Sequence, residues 1–169
     1  MSPDRRSVLA AGAALIATGG LAACGADGRG PAARRPVLGL ILPPSTRPVP
    51  EEAVAMYGQQ LEFVVTGLGI ESMTPDSFDA AIERIPAAAR QLAAAGADAI
   101  ELTGTSLTFY KGEAFNQRLR ETVTDATGLR ATTMSNGVID ALRALGARRV
   151  AVATAYNDEV NARLDAFLR

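Results

Sequence analysis

No histidine and no tryptophan occur in these 169 residues, and there is a single cysteine, Cys24. Each absence removes a class of chemistry. Without an imidazole, neither a Ser-His-Asp nor a Cys-His nucleophile has its general base. One thiol closes no disulfide within the chain, and a His/Cys metal site has no ligands to draw on. Lys and Arg together number 17 against 18 Asp and Glu, with no basic stripe, so nucleic acid finds no electrostatic footprint. Phosphate-cradling glycine patterns are missing as well, since neither G-x-x-x-x-G-K nor G-x-G-x-x-G opens a helix.

What is present begins with a targeting segment. Arg5-Arg6 precedes an apolar run, Val8 to Ala23, that is shorter and richer in glycine than the roughly 20 apolar residues of a stable membrane span. The run closes on Leu21-Ala22-Ala23-Cys24, the pattern of a lipoprotein signal in which the cysteine is lipidated; acyl chains anchor at roughly 0.8 kcal/mol per buried CH₂. An uncleaved anchor and a start codon set too early are the alternatives. Residues 1–24 are thus expected to be a twin-arginine, lipoprotein-type signal and 25–35 a linker. The expected location is outside the cytoplasm, with the protein membrane-anchored and facing the periplasm or cell exterior. Residues 36–169 are long enough for one domain.

Within that domain, short apolar runs alternate with amphipathic stretches. Strands are expected at Val37–Leu42, Leu61–Thr66, Asp98–Leu102, Leu129–Met134 and Arg149–Thr154. Helices are expected from Glu51, from Thr74-Pro75 to Ala95, over Glu113–Thr127, over Val138–Leu145 with Ser135 as an N-cap, and over Asp158–Leu168. Pro86 would cost about 3 kcal/mol inside a continuous helix, so a kink or a restart is expected there. Alternation at these lengths makes βαβ units. The fold class is α/β, a Rossmann-like three-layer α/β/α arrangement around a parallel sheet.

Ligands of open parallel sheets collect beyond the carboxyl ends of the strands. There the sequence places Pro43-Pro44-Ser45, Gly104-Thr105-Ser106 and Ala155-Tyr156-Asn157. The hydroxyls of Thr105, Ser106 and Tyr156 suit a carboxylate or an enolate-like oxyanion, because neutral donors stabilise charge without counter-ions of their own. Equally, Thr105 and Ser106 could cap the next turn and Tyr156 could be a core edge. The pairs Glu51-Glu52 and Asp158-Glu159 fit helix starts, favoured by the dipole. Glu101, inside a strand, is assigned no role.

Taken in order, the motifs resemble arylmalonate decarboxylase, within the aspartate/glutamate racemase and maleate isomerase superfamily. The resemblance runs from Val37 to Leu168. It rests on Leu42-Pro43-Pro44, Gly67-Leu68-Gly69 with Thr74-Pro75, Gly104-Thr105-Ser106-Leu107 with Phe109-Tyr110, Thr132-Thr133-Met134-Ser135, Leu142-Arg143-Ala144-Leu145-Gly146 and Ala153-Thr154-Ala155-Tyr156. It implies one domain of a two-domain fold and decarboxylation of malonate-type dicarboxylates with neither metal nor organic cofactor. Thr105, Ser106 and Tyr156 take the oxyanion-holding positions, with Gly104 and Pro43 beside them. It also implies that racemases and isomerases carry a cysteine where this chain has Gly104, which favours the decarboxylase branch. The proton-donating cysteine is expected on a second domain, beyond Arg169 and therefore in a longer reading frame, so the chain alone should be inactive or weak. An Asp/Glu racemase or maleate isomerase, and a lipoprotein that binds carboxylates without turnover, are the other readings. The expected partners are a small dicarboxylate, the membrane through the lipid anchor, and a second copy, since an uncovered inter-domain face invites self-association.

Overall fold

The computed structural model describes residues 34–45, 48–72 and 75–169. The signal segment with Cys24, most of the linker and Thr74 lie outside the described residues. The structural unit starts at Arg34, slightly ahead of the expected Pro36. Arg34 pairs with Asp98 at 2.6 Å and Arg35 with Glu62 at 3.0 Å, which ties the entering chain to the first strands.

Four strands form the sheet: β1 (Val37–Leu42), β2 (Glu62–Gly67), β3 (Ala99–Leu102) and β4 (Arg130–Thr133). They are parallel, in the order β2-β1-β3-β4, with Leu40 opposite both Val65 and Glu101. The short apolar run of β1 is central because it can be buried on both faces. Side-chain alternation sets Ile41, Ile100 and Leu102 on one face, where each is 1% exposed or less. Against that face pack α3 (Ile85–Ala94) and α5 (Glu113–Thr127), which also touch each other. Leu92 of α3 and Leu119 and Val123 of α5 complete the core. Full burial of each such side chain stabilises by about 1.5–3 kcal/mol.

The second face presents Leu38, Leu40 and Leu42 beside Ala99 and Glu101. Right-handed crossovers send α1 (Glu51–Tyr57) to this side, because β1 to β2 runs opposite to β2 to β3. This helix has no buried residue, although Glu51 and Glu52 stand in its first turn as expected.

The helical stretch from Pro75 is broken in two. α2 (Pro75–Ile82) ends before a turn at Glu83-Arg84, and α3 restarts with Pro86 as its second residue, where a missing N–H costs nothing. Beyond β3, residues expected to form a loop make a short helix, α4 (Thr105–Phe109). After β4, α6 (Met134–Ala144) starts earlier than expected. Its N-cap is Thr133, whose hydroxyl accepts from the Asn136 N–H, so Ser135 lies within the helix rather than capping it.

One expected strand does not form. Arg149–Thr154 has strand-like alternation, yet among the described residues it pairs with no strand, and its residues are exposed. A strand exists through its ladder, and β4 at the sheet edge is occupied on one side only, by β3. The segment instead runs on to α7 (Asp158–Leu168), capped by Asn157, whose side chain accepts from the Val160 N–H at 3.0 Å. Among the described residues no helix is long and apolar enough to cross a membrane.

Candidate functional site

Three chain segments meet at the carboxyl ends of β1, β2 and β3. The ladder is extended past β1, with Leu68 N–H donating to Leu42 O at 2.8 Å and Ile70 N–H to Pro43 O at 2.7 Å. Gly67 is required at this meeting, since a Cβ there would lie 2.1 Å from the Pro44 carbonyl oxygen. Across the way, Thr103 donates both its N–H (3.0 Å) and its hydroxyl (2.7 Å) to Ile41 O. Gly104 follows with φ +96°, and an added Cβ would meet Pro43 Cγ at 2.6 Å. The strand order thus presses Pro43 and Gly104 together.

They border a cavity of about 600 Å³ whose walls are mostly apolar, including Leu42, Pro44, Val49, Ile70 and Met134. Thr103 adds a polar group, and Glu51, Glu52 and Glu71 stand at the same cavity. These carboxylates oppose an approaching dianion, so attraction there has to come from fixed neutral donors.

On the far side of Gly104, Thr105 Oγ1 and Tyr156 OH lie 2.9 Å apart. The Tyr156 ring meets Phe109 edge-on, with centroids 5.9 Å apart. Two hydroxyls sharing one mutual bond leave one O–H free to donate. Both residues border a second cavity of about 630 Å³, between α6 and residues 150–156. Ser106 is buried, and no described residue hydrogen-bonds its hydroxyl. It borders neither cavity. The expected site residues therefore form two adjoining groups, Pro43 with Gly104 and Thr105 with Tyr156, joined through the Gly104–Thr105 peptide.

Behind them lies a polar network that sequence reasoning missed. Thr108, fully buried, has its hydroxyl 2.6 Å from Ser135 Oγ and donates towards Thr105 O at 3.0 Å or Gly104 O at 3.2 Å. Ser135 also reaches Thr105 O at 3.3 Å. One layer further, Thr133 donates to Asn116 Oδ1 at 2.7 Å, and Asn116 donates to Asn136. The signal was Asn116 itself, an amide between Phe115 and Leu119 on the apolar stripe of α5.

Glu101 lies on the second sheet face, half-buried, and desolvation pushes its carboxyl above the ordinary range. Glu159 does more than favour the start of α7. It accepts from Tyr110 OH at 3.0 Å and pairs with Arg163 at 3.2 Å, which hold its carboxyl below the ordinary range. Asp98 is likewise held low, by Arg34 and the Val37 N–H. No cluster of His, Cys, Asp and Glu among the described residues is suited to hold a metal ion.

Residues 38–169 match the family model for arylmalonate decarboxylase. Arylmalonate decarboxylase of Bordetella bronchiseptica is 50% identical over 136 residues, which are 80% of this chain and 56% of that protein. Among solved structures, a glycine-to-cysteine, cysteine-to-serine double mutant of arylmalonate decarboxylase in its liganded form superposes with a TM-score of 0.75 at 50% identity, covering 79% of this chain and 56% of that one. Maleate cis-trans isomerase of Nocardia farcinica gives 0.73 at 20% identity over 80% of this chain and 59% of its own, a likeness of fold alone. The chain spans a little over half the length of these relatives, and it belongs to the arylmalonate decarboxylase family.

Proposed function

We propose that this chain is the substrate-gripping part of a cofactor-independent carboxy-lyase acting on malonate-type dicarboxylates, arylmalonates first among them. The observation that supports this is the pairing of Thr105 Oγ1 with Tyr156 OH at 2.9 Å, bordering the cavity between α6 and residues 150–156 and one peptide from the Gly104 wall of the strand-tip cavity. One substrate carboxylate exchanges that mutual bond for donation from Thr105 and Tyr156; Ser106, buried and bordering neither cavity, would have to turn to join them. The other carboxylate lies against the apolar wall at Pro43 and Gly104, where poor solvation favours its release as CO₂. The bond to the departing carbon breaks, and its electron pair passes to the α-carbon and the retained carboxylate. The resulting enediolate carries its charge on oxygens that the hydroxyl donors already face.

The α-carbon then takes a proton. Within these 169 residues Cys24 is the one thiol, and it falls in the expected lipidation signal. With a thiol as the acid, the proton comes from a group outside these 169 residues. General acid catalysis contributes about 10²–10⁴-fold, so the chain by itself should bind far better than it turns over. Export and a lipid anchor at Cys24 belong to the same proposal, supported by the N-terminal pattern.

Titration calorimetry with phenylmalonate, beside an assay for released CO₂, tests the reading. Binding without appreciable CO₂ is expected, with the affinity of Tyr156→Phe lower by about tenfold, the loss of one charge-assisted hydrogen bond. Full turnover by this chain, or binding untouched by Tyr156→Phe, would refute it. A specific feature weighs against the racemase and isomerase reading: a cysteine at position 104 would place its Cβ against Pro43.

A further inference from the structure

Gly104 stands directly before Thr105 with φ +96° and ψ +97°, and without a Cβ it does little to fix the direction of the peptide that follows. Thr105 nonetheless holds its hydroxyl 2.9 Å from Tyr156 OH. That register is set from behind the loop. Two buried hydroxyls stand there, Thr108 on α4 at 0% exposed and Ser135 on α6 at 3%. The cap of α6 is Thr133, so the Ser135 hydroxyl is not needed to start its own helix. A buried hydroxyl costs free energy unless it is paired. Both partners of Ser135 belong to α4: Thr108 Oγ1 at 2.6 Å and Thr105 O at 3.3 Å. Thr108 in turn donates to Thr105 O at 3.0 Å or Gly104 O at 3.2 Å.

We propose that Thr108 and Ser135 are positioning residues for the oxyanion site, clamping both peptides that flank Thr105 so that its hydroxyl stays in register with Tyr156. The proposal rests on the reading of Thr105 and Tyr156 as carboxylate donors, and it adds two residues that never touch the substrate. The Gly104 carbonyl belongs to the peptide before the Thr105 Cα and the Thr105 carbonyl to the peptide after it. Peptides are planar, so holding both carbonyls fixes φ and ψ of Thr105 and with them the direction of its Cβ. A β-branched side chain is stiff at χ1, which carries that direction on to Oγ1. Ser135 ties the clamp to α6 and the end of β4, so Thr105 is held from a second element as well as from β3. Donors fixed before the charge arrives need no rearrangement when it does.

NMR of isotope-labelled tyrosine, observed at Cζ, reads the register without any ligand. Loss of a signal in Tyr156→Phe identifies the Tyr156 resonance, and Thr105→Val marks where it lies once the mutual bond is gone. Thr108→Val and Ser135→Ala should each move the resonance towards that mark and lower the affinity for phenylmalonate by about three- to tenfold in titration calorimetry. Thr108→Ser, which keeps the hydroxyl, should restore both readouts. In a Thr105→Val background, Thr108→Val should change the affinity no further, since it acts through Thr105. Val123→Ala, in the core away from the site, should lower the urea midpoint while leaving resonance and affinity at their wild-type values, which separates positioning from loss of stability. A Tyr156 resonance that stays in place in Thr108→Val and Ser135→Ala, or one that moves while the affinity holds, would overturn the proposal. Failure of the wild-type chain to bind phenylmalonate would refute the function proposed above, and the resonance would then decide the clamp by itself.

Discussion

Gly104 carries two constraints at once. Its φ of +96° lies where side chains are strained, and the space a Cβ would fill is held by the Pro43 ring. Gly104→Ala is therefore expected to destabilise the protein by about 1–3 kcal/mol in urea unfolding, with the loss arising in the folded state. Glu101 has a burden of another kind. Its folded carboxyl titrates above its unfolded value, so the folded state holds the proton more tightly. Stability then falls as pH rises from the unfolded pKa through the raised folded one, opposite in sign to Asp98 and Glu159, whose contributions vanish on acidification. Glu101→Gln should raise the unfolding free energy at neutral pH and leave it nearly unchanged in acid, as denaturation at two pH values would show. A lower stability of the variant at neutral pH would mean that the charge has a favourable partner.

At the scale of elements, the link from β4 to α6 is set by hydrogen bonds more than by apolar contact. Asn116 joins α5 to both through Thr133 and Asn136, and it is 2% exposed. Asn116→Ala leaves buried polar groups without partners, which costs about 1–3 kcal/mol and should appear as a lowered urea midpoint with an unchanged slope. Since Thr133 also caps α6, and Ser135 in its first turn reaches the Thr105 carbonyl, disturbance there should carry into the Gly104–Thr105 peptide. The restart of α3 at Pro86 and the start of α7 at Asp158 were legible in the sequence, because proline placement and an acidic first turn act over a few residues, whereas the Asn157 cap emerged only in the structure. The one-turn helix at Thr105 was not legible either. Its residues sit in a strand-to-helix loop, and the Thr108 hydroxyl bonded to the Gly104 and Thr105 carbonyls and to Ser135 is a long-range arrangement that no local pattern announces.

For the whole molecule, the stabilising load falls on the face where α3 and α5 cover the sheet. The ion pairs among the described residues are exposed, such as Arg34–Asp98 with side chains 60% and 42% accessible. Exposed pairs contribute about 0–1 kcal/mol each and are screened by salt, so molar sodium chloride should shift the thermal midpoint by no more than a few degrees. A large loss would mean that charge, not burial, holds the unit together. The second sheet face differs, with α1 contributing no buried residue above Leu38, Leu40 and Glu101. Such unevenness fits a unit that corresponds to a little over half of its relatives' length.

Local chemistry alone determined the α/β class, the positions of β1 and β3, and the placement of Thr105 just beyond β3, since apolar alternation and proline placement act over a few residues. Exclusion of imidazole-based catalysis needed no more than reading the residues present. Two matters waited for the tertiary structure. Thr105 came to lie 2.9 Å from Tyr156, across 51 positions of chain, while Pro43 closed on Gly104 from the neighbouring strand. Arg149–Thr154 has the pattern of a strand but pairs with no strand among the described residues. Periodicity reports which side chains could face a core; only the packed chain supplies the neighbour whose N–H and C=O groups complete the ladder.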